Sequence, residues 1–156
     1  MYLAPEVLKT VGLRLSRDLV YYDHLSAEQR LWRGVLINAI EDVLIKHSDR
    51  RNSVQKGKAH NWIVSSCLDF RQVCGWGNLD HEDVLSSYLE AIKERKVQFT
   101  IRQIMWTKYD IFSKSIASIK EFRIKRQYKG KIKEFRRAVV NAPTDYVSTL
   151  YTMVIN

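Results

Sequence analysis

Apolar residues recur at helical spacing along most of this chain and predict a small, mainly α-helical bundle with at most a short β element. Ser26-Ala27-Glu28-Gln29 is a capping-box pattern, and the apolar positions that follow it predict a helix over 26–46. The polar stretch 47–57 is predicted to be a loop. The other predicted helices cover 58–66, 69–76, 81–96, about 104–122 and 131–142. Asp80 is expected to cap the helix that begins at His81, and Gly130 to separate the last two helices.

Two stretches leave the choice between helix and strand open. Val97, Phe99 and Ile101 alternate with polar residues, as in a short strand. The β-branched residues in 147–155, after Pro143, fit either structure. We divide the chain into an N-terminal segment (1–25), a helical domain (26–96) and a basic C-terminal subdomain (97–156).

The composition is typical of a folded protein, since 46% of the 156 residues are hydrophobic. No run approaches the roughly 20 apolar residues that a membrane-spanning helix needs. The first residues lack a basic region followed by an apolar run, so no secretion signal is predicted. We therefore expect a cytoplasmic protein without membrane partners, in which Cys67 and Cys74 are reduced core thiols.

Charge is distributed very unevenly along the chain. The net charge is +9, and residues 93–156 hold 15 Lys or Arg against 5 Asp or Glu. The densest part is 120–137, where only Glu121 and Glu134 are acidic. Such a field attracts polyanions and predicts nucleic-acid binding, DNA rather than RNA, through phosphate contacts. The candidate phosphate-binding residues are Lys120, Arg123, Lys125, Arg126, Lys129, Lys131, Lys133, Arg136 and Arg137.

Two alternatives to nucleic acid remain for this basic segment: an acidic protein partner such as RNA polymerase, and an inert solvated surface. On a helix over 131–142, Lys133 and Arg137 share a face opposite Ile132 and Phe135, and Arg136 flanks them. Cations held in register by an anchored helix are suited to phosphate binding. Two interleaved aromatic residues, Phe122 and Tyr128, are candidates to stack on unpaired bases.

The stretch 70–89 fits the frame of a helix-turn-helix unit in part. Cys74 supplies a small residue in the first helix, and Asn78 tolerates left-handed backbone geometry at the turn. The residues expected to lock the helices together are Val73, Leu79 and Val84. Ser87 falls where an apolar residue is usual, and a plain helical hairpin remains the alternative. If the second helix enters the major groove, the side chains that meet base edges are those of His81, Glu82, Ser86 and Ser87.

Part of this region, about 31–89, resembles short proteins encoded by bacteriophages and phage-derived elements of alphaproteobacteria. The matching segments are Trp32 with Ala39-Ile40-Glu41-Asp42, Ala59 with Trp62, Asp69-Phe70-Arg71, Val73-Cys74, Leu79-Asp80 and Val84. The resemblance implies a DNA-associated or regulatory protein of phage type. It assigns no functional residue, and the basic C-terminal third lies outside it.

No catalytic motif was found, so we do not expect an enzyme or a bound cofactor. His60, Cys67, Cys74 and His81 recur every seven residues, but zinc sites use pairs of ligands two to four residues apart. A metal-dependent nuclease is the remaining enzymatic alternative, because its carboxylates need no short motif. The basic segment thus predicts a DNA-binding protein, and the resemblance implies a regulator of phage or mobile-element type. The alternatives are a DNA-packaging subunit that assembles into an oligomer and a modulator that binds RNA polymerase.

Overall fold

A computed structural model describes residues 23–147 and five earlier positions, Val7, Thr10, Gly12, Leu15 and Leu19. Within 23–147 the chain forms six α-helices and no strand, which confirms the prediction of a mainly α-helical bundle. The helices are α1 (Ala27–Val43), α2 (Arg50–Val64), α3 (Leu68–Trp76), α4 (His81–Lys93), α5 (Ile101–Ala117) and α6 (Phe122–Val140).

Side-chain caps set the starts of the two best-predicted helices. At α1 the Ser26 hydroxyl accepts from the Gln29 N–H and the Gln29 side chain accepts from the Ser26 N–H, so the predicted capping box is present. At α4 the carboxylate of Asp80 accepts from the backbone N–H groups of Glu82 and Asp83. The predicted starts of α1 and α4 are confirmed, and each helix ends three residues before its predicted end.

The predicted loop over 47–57 is wrong, because α2 begins at Arg50. Asp49 caps this helix by accepting from the Asn52 N–H at 3.1 Å. The inward face of its first half is polar rather than apolar, and Lys56 is only 2% exposed. The Lys56 Nζ donates to the carbonyl oxygens of Ile45 and Gln98, at 2.7 and 2.5 Å, which satisfies the buried ammonium. Apolar periodicity does not detect a helix whose buried residues are polar and find their partners in distant loops.

The predicted break at Gly130 is also wrong. Gly130 lies inside α6, and the chain turns earlier, at 118–121, where helix α5 had been predicted to continue to Phe122. A glycine inside a helix costs about 1 kcal/mol without ending it. Six of the predicted basic residues that flank Gly130 therefore belong to one continuous helical face rather than to two segments.

The stretch 97–101 is not a strand. Val97 and Phe99 are buried, but only an isolated antiparallel bridge forms, between Thr100 and Tyr146. The Val147 N–H donates to the Phe99 carbonyl at 2.8 Å, so the segment after α6 returns to the start of α5. The rest of the ambiguous stretch, 148–155, lies outside the described residues.

Apolar residues form a main core and a smaller second cluster. The main core contains buried residues of the four helices α1, α2, α3 and α4. It also contains Val97, Phe99 and the N-terminal positions Val7, Leu15 and Leu19. The second cluster holds α6 against α5 through the buried side chains of Trp106, Tyr109 and Val139, supported by Ile132 and Phe135. Helix α5 also packs on α2. Helix α5 therefore connects the main core to α6.

Candidate nucleic-acid interface

The apolar side of α6 is fixed to α5 by aromatic contacts. The ring of Phe135 meets the rings of Tyr109 and Phe112 edge-on, with centroids 5.7 and 6.0 Å apart. Val139 is fully buried one turn later. The end of the helix is held by Arg102, whose guanidinium donates twice to the Ala142 carbonyl, at 3.0 and 2.7 Å. These contacts fix which side of α6 faces away from the protein.

Basic side chains cover the opposite side of α6. Helix α6 contains eight Lys or Arg residues and one acidic residue, Glu134. At about 100° per residue, six of the eight fall within an arc of about 140° centred opposite Phe135. All six are exposed. We call them the basic strip: Arg123, Arg126, Lys129, Lys133, Arg136 and Arg137.

The other three predicted phosphate contacts do not belong to this strip. Lys125 lies at the border of the buried side, and its Nζ donates to the Ala117 carbonyl at 3.4 Å. Lys131 extends over the ring of Tyr128, 5.3 Å from its centroid. Lys120 precedes the helix, in the turn after α5. The structure thus brings six of the nine predicted basic residues together.

The basic strip destabilises the helix that carries it. Apart from the adjacent Arg136 and Arg137, successive members stand three or four residues apart, for example Lys129 and Lys133, and each like-charge pair at this spacing costs about 0.2–0.5 kcal/mol. Among residues 23–147, none of these six side chains forms a salt bridge. The helix dipole favours only the cations at the C-terminal end of α6. A bound polyanion would offset the mutual repulsion along the whole strip.

The strip has an extended shape and one shallow depression. Arg123 and Arg137 are separated by about 21 Å along the helix axis. Near the end of α6, Lys133, Arg136 and Arg137 line a depression of about 310 Å³ together with Val140 and Asn141. A row of charges about 21 Å long is long enough to lie across several phosphates of a duplex, whose strands each carry one phosphate every 3.4 Å along the axis.

The two aromatic residues predicted to stack on bases have different environments. Phe122 is 71% exposed and lies on the same side of α6 as the basic strip. Tyr128 is half-buried, and its ring packs edge-on against Phe112 with centroids 6.2 Å apart. Phe122 is therefore positioned to contact a bound ligand, whereas Tyr128 helps anchor α6 to α5.

Helices α3 and α4 form the tight hairpin that the sequence indicated. Asn78 has a φ of 56°, so it occupies the left-handed region as expected, and the Leu79 N–H donates to the Cys74 carbonyl at 2.9 Å. Val73, Cys74 and Val84 are buried. The buried Arg33 of α1 secures the turn by donating to the carbonyl oxygen of Gly77 at 2.6 Å. These features are common to tight helical hairpins in general and do not by themselves establish a DNA-reading unit.

The four predicted base-contacting residues of α4 do not share one exposed face. Glu82 and Ser86 point outward, one turn apart, whereas His81 and Ser87 are half-buried. Helix α4 also exposes three acidic residues, Glu82, Asp83 and Glu90. Its one Lys or Arg residue is Lys93, at its end. This excess of acidic charge opposes close approach to phosphates.

A further group of basic residues was missed by the sequence analysis. Arg50, Arg51 and Lys58 lie on α2, and Lys114 lies on α5. The sequence does not indicate this group, because 47–57 is predicted to be a loop and because the two helices that bring the residues together are distant in the chain. The N-cap residue Asp49 is the signal in the sequence that indicates this helix in retrospect.

Two other classes of site receive no support from the described residues. No group of three or more His, Cys, Asp or Glu side chains in the described part of the chain is placed to hold a metal ion. His60, from the seven-residue series, is buried and instead contacts the Tyr88 hydroxyl at 2.8 Å. None of the helices formed by the described residues combines the length and apolar character needed to cross a lipid bilayer.

Comparison with protein-family models, curated proteins and solved structures gives no match to this chain.

Proposed function

We propose that this protein binds duplex DNA through the basic strip of α6 and acts as a regulator of phage or mobile-element type. The observation that carries the binding proposal is the row of six exposed cations on one face of an anchored helix, which the described fold leaves without carboxylate partners. Phosphate contacts of this kind supply affinity that does not depend on sequence. The regulatory role is supported by the sequence resemblance alone.

The binding proposal does not need α4 to enter a groove. The exposed acidic residues of α4 disfavour that helix as the source of affinity, and α6 supplies the charge instead. The exposed ring of Phe122 adds an apolar contact beside the phosphates.

The test is a fluorescence-anisotropy titration of a labelled duplex at a series of salt concentrations. If all six residues of the strip neutralise a phosphate, the logarithm of the affinity falls with the logarithm of the salt concentration with a slope of about −5. Between about 50 and about 200 mM salt, the affinity then drops roughly a thousandfold.

Charge reversal identifies the surface responsible. Arg136→Glu with Arg137→Glu is expected to weaken binding equally on unrelated sequences and to make the slope shallower by about 2. Arg30→Glu with Lys93→Glu changes the net charge equally at exposed positions of α1 and α4, and serves as the control. Absence of binding at low salt would refute the proposal and favour an acidic protein as the partner of α6. Equal effects of the two double variants would remove α6 from the mechanism.

A further inference from the structure

A second cationic site lies between α2 and α5, away from the basic strip. A cleft of about 540 Å³ is lined by side chains of both helices, and we call it the α2–α5 cleft. Its lining residues are Arg50, Arg51, Val54, Gln55, Lys58 and Asp110. Lys114 joins the site through its Nζ, which is 2.6 Å from the Asp110 carboxylate. The site thus contains four basic side chains, two of which pair with the Asp110 carboxylate, and a second carboxylate, Asp42, accepts from Gln55 at 2.7 Å.

The positions of two of these cations cost stability. Arg50 and Arg51 are the first two residues of α2, where the helix dipole disfavours positive charge by about 0.3–1 kcal/mol each. Arg51 and Lys58 are both exposed and lie two turns apart on one face of α2. Neither forms a salt bridge with a carboxylate in the part of the chain that the structure describes. The positive charges of Arg51 and Lys58 therefore do not contribute to the stability of α2 through ion pairs.

Asp110 holds the other two cations of the site, Arg50 and Lys114, in place. Its carboxylate is 3.4 Å from the Arg50 guanidinium and 2.6 Å from the Lys114 ammonium. Burial raises the pKa of Asp110, but Lys114 and Arg50 lower it by more, so the pKa lies below its usual value and the carboxylate stays ionised near neutral pH. The Arg50 guanidinium also lies 5.1 Å above the ring of Tyr109. Ordering these side chains in advance lowers the entropic cost of binding an anion.

Tyr109 connects this site to α6. One contact of its ring is the Arg50 guanidinium, and another is Phe135, the residue that anchors α6. Arg50, at the edge of the cleft, and Phe135, on the anchored side of α6, therefore contact the same aromatic ring. The basic strip covers the other side of α6, so the two sites are separate surfaces for phosphate contacts.

We propose that the α2–α5 cleft binds a backbone phosphodiester of DNA. The inference rests on the proposed DNA-binding function and extends it to a second site. Arg51 and Lys58 contact the phosphate, and the Arg50–Asp110–Lys114 network positions the charge behind them. The sequence separation of 60 residues between Arg50 and Asp110 means that the site exists only in the folded protein.

The test variant is Arg51→Gln with Lys58→Gln, which keeps Arg50, Asp110 and Lys114 and the contacts of Asp110 with both cations. In the anisotropy titration with a duplex of two helical turns, about 21 base pairs, the salt slope is expected to become shallower by about 1. The affinity at moderate salt is expected to fall about tenfold, the effect of one lost phosphate contact. Arg30→Gln with Lys93→Gln removes the same two residue types from α1 and α4, and is expected to change the affinity less than threefold by screened long-range attraction alone.

Each outcome of this experiment supports or overturns a specific proposal. Thermal unfolding must first show that the Arg51→Gln/Lys58→Gln protein is at least as stable as the original, as the removal of a cation from the first turn of α2 predicts. If this variant and its control bind alike while the Arg136→Glu/Arg137→Glu variant loses affinity, the cleft proposal fails and the proposed function survives. If the original protein does not bind DNA at all, both fail.

Discussion

Replacing Gly57 with alanine tests how closely α2 and α5 must approach each other to hold the site together. Gly57 is buried in α2, and a Cβ atom built on it lies 2.3 Å from the Thr107 Oγ1 and 2.6 Å from the Thr107 Cγ2. Ordinary contacts are 3.4–4 Å. Thr107 cannot rotate away freely, because its Oγ1 lies 3.1 Å from the carbonyl oxygens of both Ser53 and Gln103, either of which accepts its single hydrogen. The two helices therefore have to separate.

The expected cost combines three contributions. Overpacking in a tight core costs about 1–3 kcal/mol, and disturbing the hydrogen bonds of Thr107 adds about 0.5–1.5 kcal/mol. Removing a glycine from a helix interior returns about 0.5–1 kcal/mol. We expect Gly57→Ala to lower the free energy of unfolding by about 2 kcal/mol, which is a decrease of about 4–8 °C in Tm for a chain of this size.

Thermal unfolding followed by circular dichroism measures this effect, and two variants isolate its cause. Gly34→Ala, in α1, is the control, because a Cβ there meets nothing within 4 Å and the helix is expected to gain about 0.5–1 kcal/mol. Thr107→Ala removes the two closest atoms and leaves only the Cβ of residue 107, at 3.0 Å, so Gly57→Ala is expected to cost much less stability in the Thr107→Ala background than in the original protein. Additive losses, or a Tm for Gly57→Ala at or above that of the original protein, would refute the close crossing.

Two further predictions concern buried titratable side chains. Burial lowers the pKa of Lys56 from 10.5 to about 8. Between these two pH values the unfolded chain binds more protons than the folded protein, so stability increases with pH. The stability of the original protein relative to Lys56→Met is therefore expected to rise by about 2–3 kcal/mol from pH 8 to pH 10.5. Urea unfolding of both proteins at several pH values measures this rise, and a constant difference would contradict it. Burial, assisted by the negative charge of Asp80, raises the pKa of Cys74 to about 12, whereas Cys67 is half-buried at the start of α3. A thiol reagent at about pH 8 is therefore expected to label Cys67 in the native protein and both cysteines after unfolding, and rapid native labelling of Cys74 would show that α3 opens readily.

Local signals in the sequence were sufficient for several elements. The capping box at Ser26 and the cap at Asp80 act within three residues, so the starts of α1 and α4 were predictable. The left-handed geometry of Asn78 is likewise a local preference of that residue type. Elements failed where the signal is not local. The start of α2 was missed because its inward residue Lys56 is stabilised by carbonyl oxygens 11 and 42 positions away.

The same distinction separates the two proposed DNA contacts. The sequence by itself determined the charge of the basic strip and part of its geometry, because helical periodicity places Lys133 and Arg137 opposite Phe135, with Arg136 beside them, wherever the helix lies. Only the tertiary structure decided that Gly130 does not interrupt this face, since packing on α5 stabilises the helix on both sides of it. The α2–α5 cleft depended on tertiary structure entirely. Its charges come from two helices about 60 residues apart, and only the close crossing of α2 and α5 brings them around Asp110.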